Sequence, residues 1–317
     1  MKICVIGAGA LGCSIGGVLA AGGSDVVLVD RFAAHVDAMN ASGLKMRVDD
    51  QEKIVKVRAY HDCQGIGPVD LIIVLVKSFH TRAAIESARA LIGDETMVMS
   101  IQNGLGHEEI LAEVVGRNHV LIAKTYVGGV FLGPGHIISG SRGKQTYIGE
   151  LDGQLTPRLQ TVVNEFNQAG LLTTASDNIY GTMWDKLLVN VATGALCAIT
   201  KLPYGGLYSI PEIETCALAA VAEGIAIAKH NDIQLTSTDP TYFWLLAAEG
   251  LPAEFKTSML QSLEKGEQTE VDFINGSVVR WGERSNIPTP VNQTLLACTK
   301  GIEHWMAHYT DRLRAAK

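Results

Sequence analysis

At 317 residues, of which 47% are hydrophobic, the chain is long enough for two domains with sizeable cores. A formal net charge of −7, a pI of about 5.7 and the lack of any basic block argue against a nucleic-acid partner. The six cysteines show no C-x-x-C spacing and read as buried, reduced thiols, not as disulfides or metal ligands.

The first thirty residues carry the strongest pattern. Lys2 to Ile6 is an apolar, β-branched run that reads as a buried strand. It leads into Gly7-Ala8-Gly9-Ala10-Leu11-Gly12, which fits G-x-G-x-x-G, and Cys13 to Ala21 supplies small residues for a helix packed close on a sheet. Gly22-Gly23 ends that helix, and Asp25 to Val29 is a second strand with Asp30 at its tip. In a dinucleotide turn the first glycine (Gly7) permits the sharp bend, Gly9 lets a pyrophosphate approach the backbone, and Gly12 lets helix and strand sit close. The amides of the helix start, Ala10 and Leu11 among them, then face the phosphates. A glycine-rich turn of some other α/β protein is the alternative; the strand before, the helix after and the acidic residue at the right distance argue against it. Asp30 can accept hydrogen bonds from an adenosine ribose and favours NAD, because it would repel a 2′-phosphate. Arg31 beside it can hold that phosphate, or can be a solvated loop charge. On residue chemistry alone the pair leans to NAD.

Because the chain enters a strand at once, it leaves no room for a signal peptide. Leu187 to Thr200 is uncharged but contains Asn190 and falls short of the ~18 residues of a membrane span. The expectation is a soluble, cytoplasmic protein without a membrane partner.

Phe32 to Ser42 reads as a helix closed by Gly43, and Leu44–Val48 with Ile54–Val57 reads as a hairpin around Asp49-Asp50-Gln51. Asp70 to Val76 is a near-continuous apolar run, typical of a strand covered on both faces. Thr81 to Ile92 reads as a helix, Thr96 to Ile101 as a strand and His107 to Val115 as a helix. Val120 to Phe131 and Ile137 to Ile148 read as two further strands joined by Gly133-Pro134-Gly135. From Tyr180 the pattern is helical, with candidate helices over 184–200, 213–231, 239–248, 269–284 and 292–314, punctuated by prolines. The fold class is α/β: a Rossmann doubly wound parallel sheet with an antiparallel extension over residues 1–175, then an all-α domain over 176–317. A ligand crevice is expected at the carboxyl ends of the strands, between the two domains.

Lys77 and Asn103 each stand where a parallel strand has just ended, on the rim where cofactor and substrate should lie. The plainer reading makes Lys77 a strand cap and Asn103 half of an Asn-Gly turn. Lys186 and Asn190 are four apart in an apolar stretch and share one helix face. Buried Lys and Asn are costly unless satisfied or used, and a lysine so placed can act as a proton donor. Otherwise it snorkels to solvent or pairs with an acid such as Asp185. Glu270 is expected in the first turn of the helix beginning at Thr269, where a carboxylate is favourable for the helix dipole alone.

Together these residues resemble the ketopantoate reductase (2-dehydropantoate 2-reductase) family over nearly the full chain. The matching motifs are Gly7–Gly12, Val76-Lys77-Ser78, Gln102-Asn103-Gly104 and Leu132-Gly133-Pro134-Gly135-His136. They continue with Trp184-Asp185-Lys186-Leu187 through Asn190, Ser258-Met259-Leu260-Gln261 and Thr269-Glu270-Val271-Asp272. The resemblance implies NADPH-dependent reduction of 2-dehydropantoate to pantoate, a step of pantothenate biosynthesis. It implies that Lys186 is the general acid and that Glu270 hydrogen-bonds the substrate hydroxyl. Asn103, Asn190 and Ser258 would hold the substrate, Asn103 and Lys77 would lie by the cofactor, and no metal is involved. Three positions depart from the family pattern. Gly194 and Tyr204 stand where Asn is common, and Ser262 where Asp is common; these bear on which 2-oxo acid is taken rather than on the reaction type. Arg31 fits the family's NADP(H), while Asp30 keeps NAD(H) open. Alternatives are a reductase of another branched 2-oxo acid, a 3-hydroxy acid dehydrogenase, or a catalytically silent nucleotide sensor. The many small residues of the helical half are suited to a homodimer.

Overall fold

The computed structural model describes residues 1–49 and 51–315, with side chains described as far as residue 308. Asp50, in the expected hairpin turn, lies outside the described residues. The chain forms two compact units: Met1–Gln102 with Gly106–Ile179, and Asn103–Leu105 with Tyr180–Lys317.

In the first unit β1 (Lys2–Ile6) runs into α1 (Ala10–Ala21), β2 (Asp25–Val29) and α2 (Ala33–Ser42). β3 (Leu44–Val48) and β4 (Gln51–Val55) form an antiparallel hairpin with Leu44 opposite Val55. β5 (Arg58–Tyr60), β6 (Leu71–Val74), α3 (Thr81–Ser87), β7 (Met97–Ser100), α4 (His107–Val115) and β8 (Val120–Thr125) continue the alternation. The unit closes with β9 (Gly128–Gly133), β10 (His136–Gly140), β11 (Thr146–Glu150), α5 (Pro157–Gln168) and β12 (Thr173–Ala175).

Among the described residues the main sheet runs β12-β11-β8-β7-β6-β1-β2-β5. The strands from β5 to β8 are parallel, and β11 is antiparallel to β8. From β1 the chain moves to β2 on one side and later to β6 on the other, so the strand order switches between β1 and β6. In open α/β sheets that switch is where ligands bind. β6 and β7 are buried at every residue, which explains their unbroken apolar sequence.

Two expected strands are corrected. Val120–Phe131 is two strands, β8 and β9, and Ile137–Ile148 is two strands, β10 and β11, in each case split between different sheets. The breaks have local causes. The Thr125 hydroxyl accepts the Val127 N–H at 3.0 Å and turns the chain out of the first sheet. At the second break Lys144 N–H bonds the Ser141 carbonyl, and Gly143 has a φ of 66°. The freed pieces build a second sheet, β4-β3-β10-β9. Helix α1 lies against both sheets: a Cβ on Gly16 would meet Leu28 and Val5, and one on Gly17 would meet Met46 and Leu44. The small residues of α1 are therefore a packing requirement on two sides. The helix expected over Thr81–Ile92 stops at Ser87 and tightens into a 3₁₀ turn over Arg89–Leu91.

The second unit holds α6 from Tyr180 onward (Ile179–Thr200), α7 (Tyr204–Leu207), α8 (Pro211–His230), α9 (Pro240–Ala248), α10 (Ser258–Glu264), α11 (Asn275–Ser285) and α12 (Pro290–Ala315). Trp184 of α6 is fully buried and meets Trp281 of α11 edge-on at 5.6 Å. Glu223 of α8 accepts the N–H groups of Val291 and Asn292 at 2.8 and 3.0 Å. A carboxylate there satisfies amides at the start of α12 that have no partner within the helix. Among the described residues no helix is long and apolar enough to cross a membrane.

Two further expectations are corrected. The helix expected over 269–284 begins only at Asn275, after a 3₁₀ turn over Val271–Phe273 and a break at Ile274 (φ −108°, ψ −90°). Glu270 therefore precedes the helix by five residues and does not sit in its first turn. Cys4, Cys13, Cys63 and Cys197 are buried, but Cys216 is half-buried and Cys298 is exposed.

Candidate active site

The glycine turn sits at the switch point. Gly7 has a φ of 95°, a conformation that L side chains rarely adopt, and its N–H bonds the Val29 carbonyl at 2.9 Å. A Cβ on Gly7 would lie 2.6 Å from the backbone of Leu75 and Val76, and one on Gly12 would strike the Gly7 carbonyl oxygen. The turn is thus wedged between β1, β2 and the end of β6. Gly9 differs: a Cβ there would meet nothing within 4 Å. Gly9 is also the N-cap of α1, and no side chain caps that helix. An uncapped helix N-terminus with Ala10 and Leu11 behind an open glycine is the donor set a diphosphate requires.

A buried histidine, missed by the sequence reading, braces this turn. His35 is 1% exposed. Its Nδ1 accepts the Gly135 N–H at 2.8 Å, so the proton is on Nε2, which donates to the Ala8 carbonyl at 2.9 Å. The Cys13 thiol donates to the same carbonyl at 3.0 Å. Burial, with the Asp30 charge adding to it, pushes that thiol far above its ordinary range, so it stays protonated. No local pattern marks His35; the signal was a histidine inside an otherwise apolar helix face.

At the tip of β2 the Asp30 carboxylate accepts the Phe32 N–H at 2.9 Å, which fixes its direction, and Arg31 is exposed. Lys77 is exposed and directly follows the Leu75–Val76 backbone that touches Gly7. The Gln102 amide donates to the Val76 carbonyl at 2.6 Å and ties the end of β7 to the end of β6.

The other expected residues belong to the second unit. Lys186 and Asn190 are half-buried on α6. The Asp185 carboxylate accepts both the N–H and the hydroxyl of Thr236, at 3.1 and 2.5 Å. Glu270 is half-buried in a short segment held on both sides. Before it, Thr269 donates its N–H and hydroxyl to Glu303 at 2.8 and 2.6 Å. After it, the Phe273 carbonyl accepts the Leu105 N–H at 3.0 Å. Asn103, adjacent to the strand-helix half in sequence, is carried with Gly104 and Leu105 in the helical unit. Ser258 is exposed at the first position of α10. A separate cleft lined by Asp70, Thr96, His119 and Arg158 opens at the amino ends of β6 and β7, the opposite end of the sheet from the glycine turn.

A doubly wound sheet with this turn at its switch point, followed by a helical unit carrying Lys, Asn and Glu, defines the class of two-unit dinucleotide-dependent oxidoreductases. The family profile "Ketopantoate reductase PanE/ApbA" matches residues 3–153, and "Ketopantoate reductase PanE/ApbA C terminal" matches residues 178–303. The 2-dehydropantoate 2-reductase of Pyrococcus horikoshii is 35% identical over 96% of this chain and 98% of its own. That of Halobacterium salinarum is 32% identical over 93% and 96%. Among solved structures, a PanE/ApbA family ketopantoate reductase from Ralstonia eutropha superposes with a TM-score of 0.89 at 33% identity, covering 97% of this chain and all of the other. D-mandelate dehydrogenase with NADH and anilino(oxo)acetate gives 0.89 at 26% identity, with the same coverage. The chain belongs to the ketopantoate reductase family and is an oxidoreductase.

Proposed function

We propose that the protein reduces a branched 2-oxo acid of the 2-dehydropantoate type to its 2-hydroxy acid, with NADPH as the preferred reductant. The observation that carries the reading is the placement of Lys186 and Asn190 on one half-buried stripe of α6, with Asn103 and Glu270 in the same unit. Identity above 30% to full-length 2-dehydropantoate 2-reductases supports it, as does a related fold that binds an oxo acid together with NADH.

The nicotinamide supplies a hydride when bound. The backbone of Gly7, Gly9, Ala10, Leu11 and Gly12 would hold the diphosphate, and Lys77 would lie beside it. Asp30 and Arg31 would meet the adenosine ribose and its 2′-phosphate. As hydride reaches C2, the carbonyl π pair moves to oxygen, and the Lys186 ammonium gives that oxygen its proton. Glu270 would accept a hydrogen bond from the new hydroxyl. Asn103, Asn190 and Ser258 would orient the acid so that the carbonyl carbon presents one face to the hydride.

The test is the initial rate of ketopantoate reduction with NADPH and NADH side by side, in the wild type and in Lys186→Ala. Loss of the acid should lower kcat by about 10²- to 10⁴-fold with cofactor affinity nearly unchanged. Cofactor binding with no reduction of any 2-oxo acid would instead identify a nucleotide sensor, and turnover of 3-hydroxy acids alone would identify the other dehydrogenase class.

A further inference from the structure

We infer that Phe32 and Phe131 form an aromatic wall on which the adenine of the dinucleotide stacks, beside the ribose that Asp30 and Arg31 would meet. The inference rests on the nicotinamide-cofactor reading and deepens it by naming the groups that hold the purine.

Both rings stand open to solvent at positions that ordinarily carry polar groups. Phe32 is 49% exposed and Phe131 is 41% exposed. Phe32 is the N-cap residue of α2, where Ser, Thr, Asp or Asn would satisfy a free amide, and no side chain caps that helix. The chain forgoes that hydrogen bond and shows water a benzyl group instead. Phe131 lies in β9, an edge strand of the second sheet, and Gly128–Gly133 carries no charge. Exposed edge strands are ordinarily protected by charged residues.

Their placement points to the cofactor. Residues 129 and 131 share one face of β9. A Cβ on Gly129 would lie 2.7 Å from the Ala10 carbonyl oxygen, so that face lies against the first turn of α1. Two residues along the same face, the Phe131 ring meets His35 edge-on at 5.1 Å. Phe32 lies nearly parallel to the same imidazole at 6.3 Å, and the two phenyl rings are 6.3 Å apart with 47° between their planes. His35 is the residue whose Nε2 holds the Ala8 carbonyl of the glycine turn. The Phe32 N–H is itself held by the Asp30 carboxylate at 2.9 Å. One ring therefore follows the proposed ribose-binding carboxylate by two residues. The other reaches across from the strand that passes over the start of α1.

A dinucleotide with its diphosphate on the amides of Ala10 and Leu11 and its ribose on Asp30 carries its purine outward past the tip of β2. At 6.3 Å the rings leave no slot for a base between them, so the purine lies against the outer side of the pair. Stacking removes the flat apolar faces of base and phenyl ring from water together and asks no hydrogen bond of the ring. The wall reads the purine and not the 2′-phosphate, so it serves NADPH and NADH alike.

The experiment is titration calorimetry of NADPH and NADH on the wild type, Phe32→Leu, Phe131→Leu and Phe131→Trp. Leucine keeps an apolar side chain over His35 but has no stacking face, whereas tryptophan keeps the face. Each leucine variant should raise Kd for the preferred cofactor about 5- to 30-fold, and Phe131→Trp should retain the affinity. Adding ADP-ribose or its 2′-phosphate, which carry adenine but no nicotinamide, should quench the emission of the introduced indole beyond any change seen in the wild type. Unchanged affinity in both leucine variants overturns the inference; if their sedimentation shifts instead, the pair is a contact between copies of the chain. Equal losses in Phe131→Leu and Phe131→Trp also overturn it, because the ring would then serve packing alone. If the leucine variants do not fold, the Phe131→Trp emission decides, and absence of quenching overturns the inference. Failure of the wild type to bind either cofactor would overturn the cofactor reading as well.

Discussion

The Ser277 hydroxyl lies 2.9 Å from the Leu105 carbonyl and 2.8 Å from the Phe273 carbonyl, joining positions 172 residues apart in the first case. Arg280 donates to the same oxygen at 2.9 Å, which holds the hydroxyl's direction. Gly104, between Asn103 and Leu105, has a φ of 91°, and a Cβ there would strike the Phe273 carbonyl oxygen. The Asn103 loop is thus fastened to the segment that begins with Glu270.

If Asn103 orients the acid, loosening this clasp should act on substrate more than on cofactor. Ser277→Ala is expected to raise KM for the oxo acid severalfold while the dissociation constant for NADPH stays put, and Ser277→Thr should restore part of it. Gly104→Ala forces a strained backbone against a carbonyl and should cost about 1–3 kcal/mol, read as a fall in Tm. Equal effects on both ligands would show that the clasp serves stability alone.

The His35 bridge makes a separable claim about the cofactor side. His35→Leu strands the Gly135 N–H and removes one donor from the Ala8 carbonyl, for an expected loss of about 1–3 kcal/mol. Because Ala8 lies inside the glycine turn, KM for NADPH should rise and KM for the oxo acid should not. His35→Gln, which can still donate and accept, should recover part of the loss. Steady-state kinetics with each ligand varied in turn would show whether the brace matters to the turn.

Cofactor choice is expected to rest on Arg31. Its removal in Arg31→Ala should lower kcat/KM for NADPH about tenfold and leave NADH nearly untouched, since only the former carries a 2′-phosphate for a guanidinium to hold. If both cofactors fell together, or neither did, the Asp30 carboxylate would be the deciding group and NADH the preferred reductant.

The thiols give a check that needs no substrate. Burial pushes Cys4 and Cys13 far above the ordinary thiol range, so at pH 8 both stay protonated and unreactive in the folded protein. Exposed Cys298 should be alkylated first. Mass spectrometry after brief iodoacetamide treatment should find Cys4 and Cys13 modified only once denaturant is added; early modification of either would contradict the packing of β1 and α1.

Much of the architecture was legible in the sequence because it rests on local pattern. The glycine spacing, the unbroken apolar runs of β1, β2, β6 and β7 and the helical periodicity after Tyr180 are all short-range patterns, set by which backbone groups bond and which faces are buried. The positions of Lys77, Asn103, Lys186 and Asn190 followed from those elements. What local pattern could not show was where a run of strand-like residues changes partners. Val120–Phe131 is strand-compatible, and the Lys124-Thr125 and Gly128-Gly129 pairs inside it do not by themselves mark a change of sheet; a Thr125 hydroxyl bonded to Val127 divides it. Glu270 likewise lies in a helix-compatible sequence, but distant contacts on both sides, Thr269 with Glu303 and the Phe273 carbonyl with Leu105, accompany its departure from the helix.

The sequence by itself determined that a dinucleotide turn opens the chain, that a helical half follows, and that a lysine and an amide share a helix face in that half. Tertiary structure alone decided that Asn103 belongs with the helical half, that a histidine braces the turn, and that Phe32 and Phe131 meet over that histidine. The reason is physical. Periodicity records how each residue relates to its near neighbours along the chain, whereas a hydrogen bond or a filled space between residues a hundred positions apart exists only once the backbone has brought them within a few ångströms.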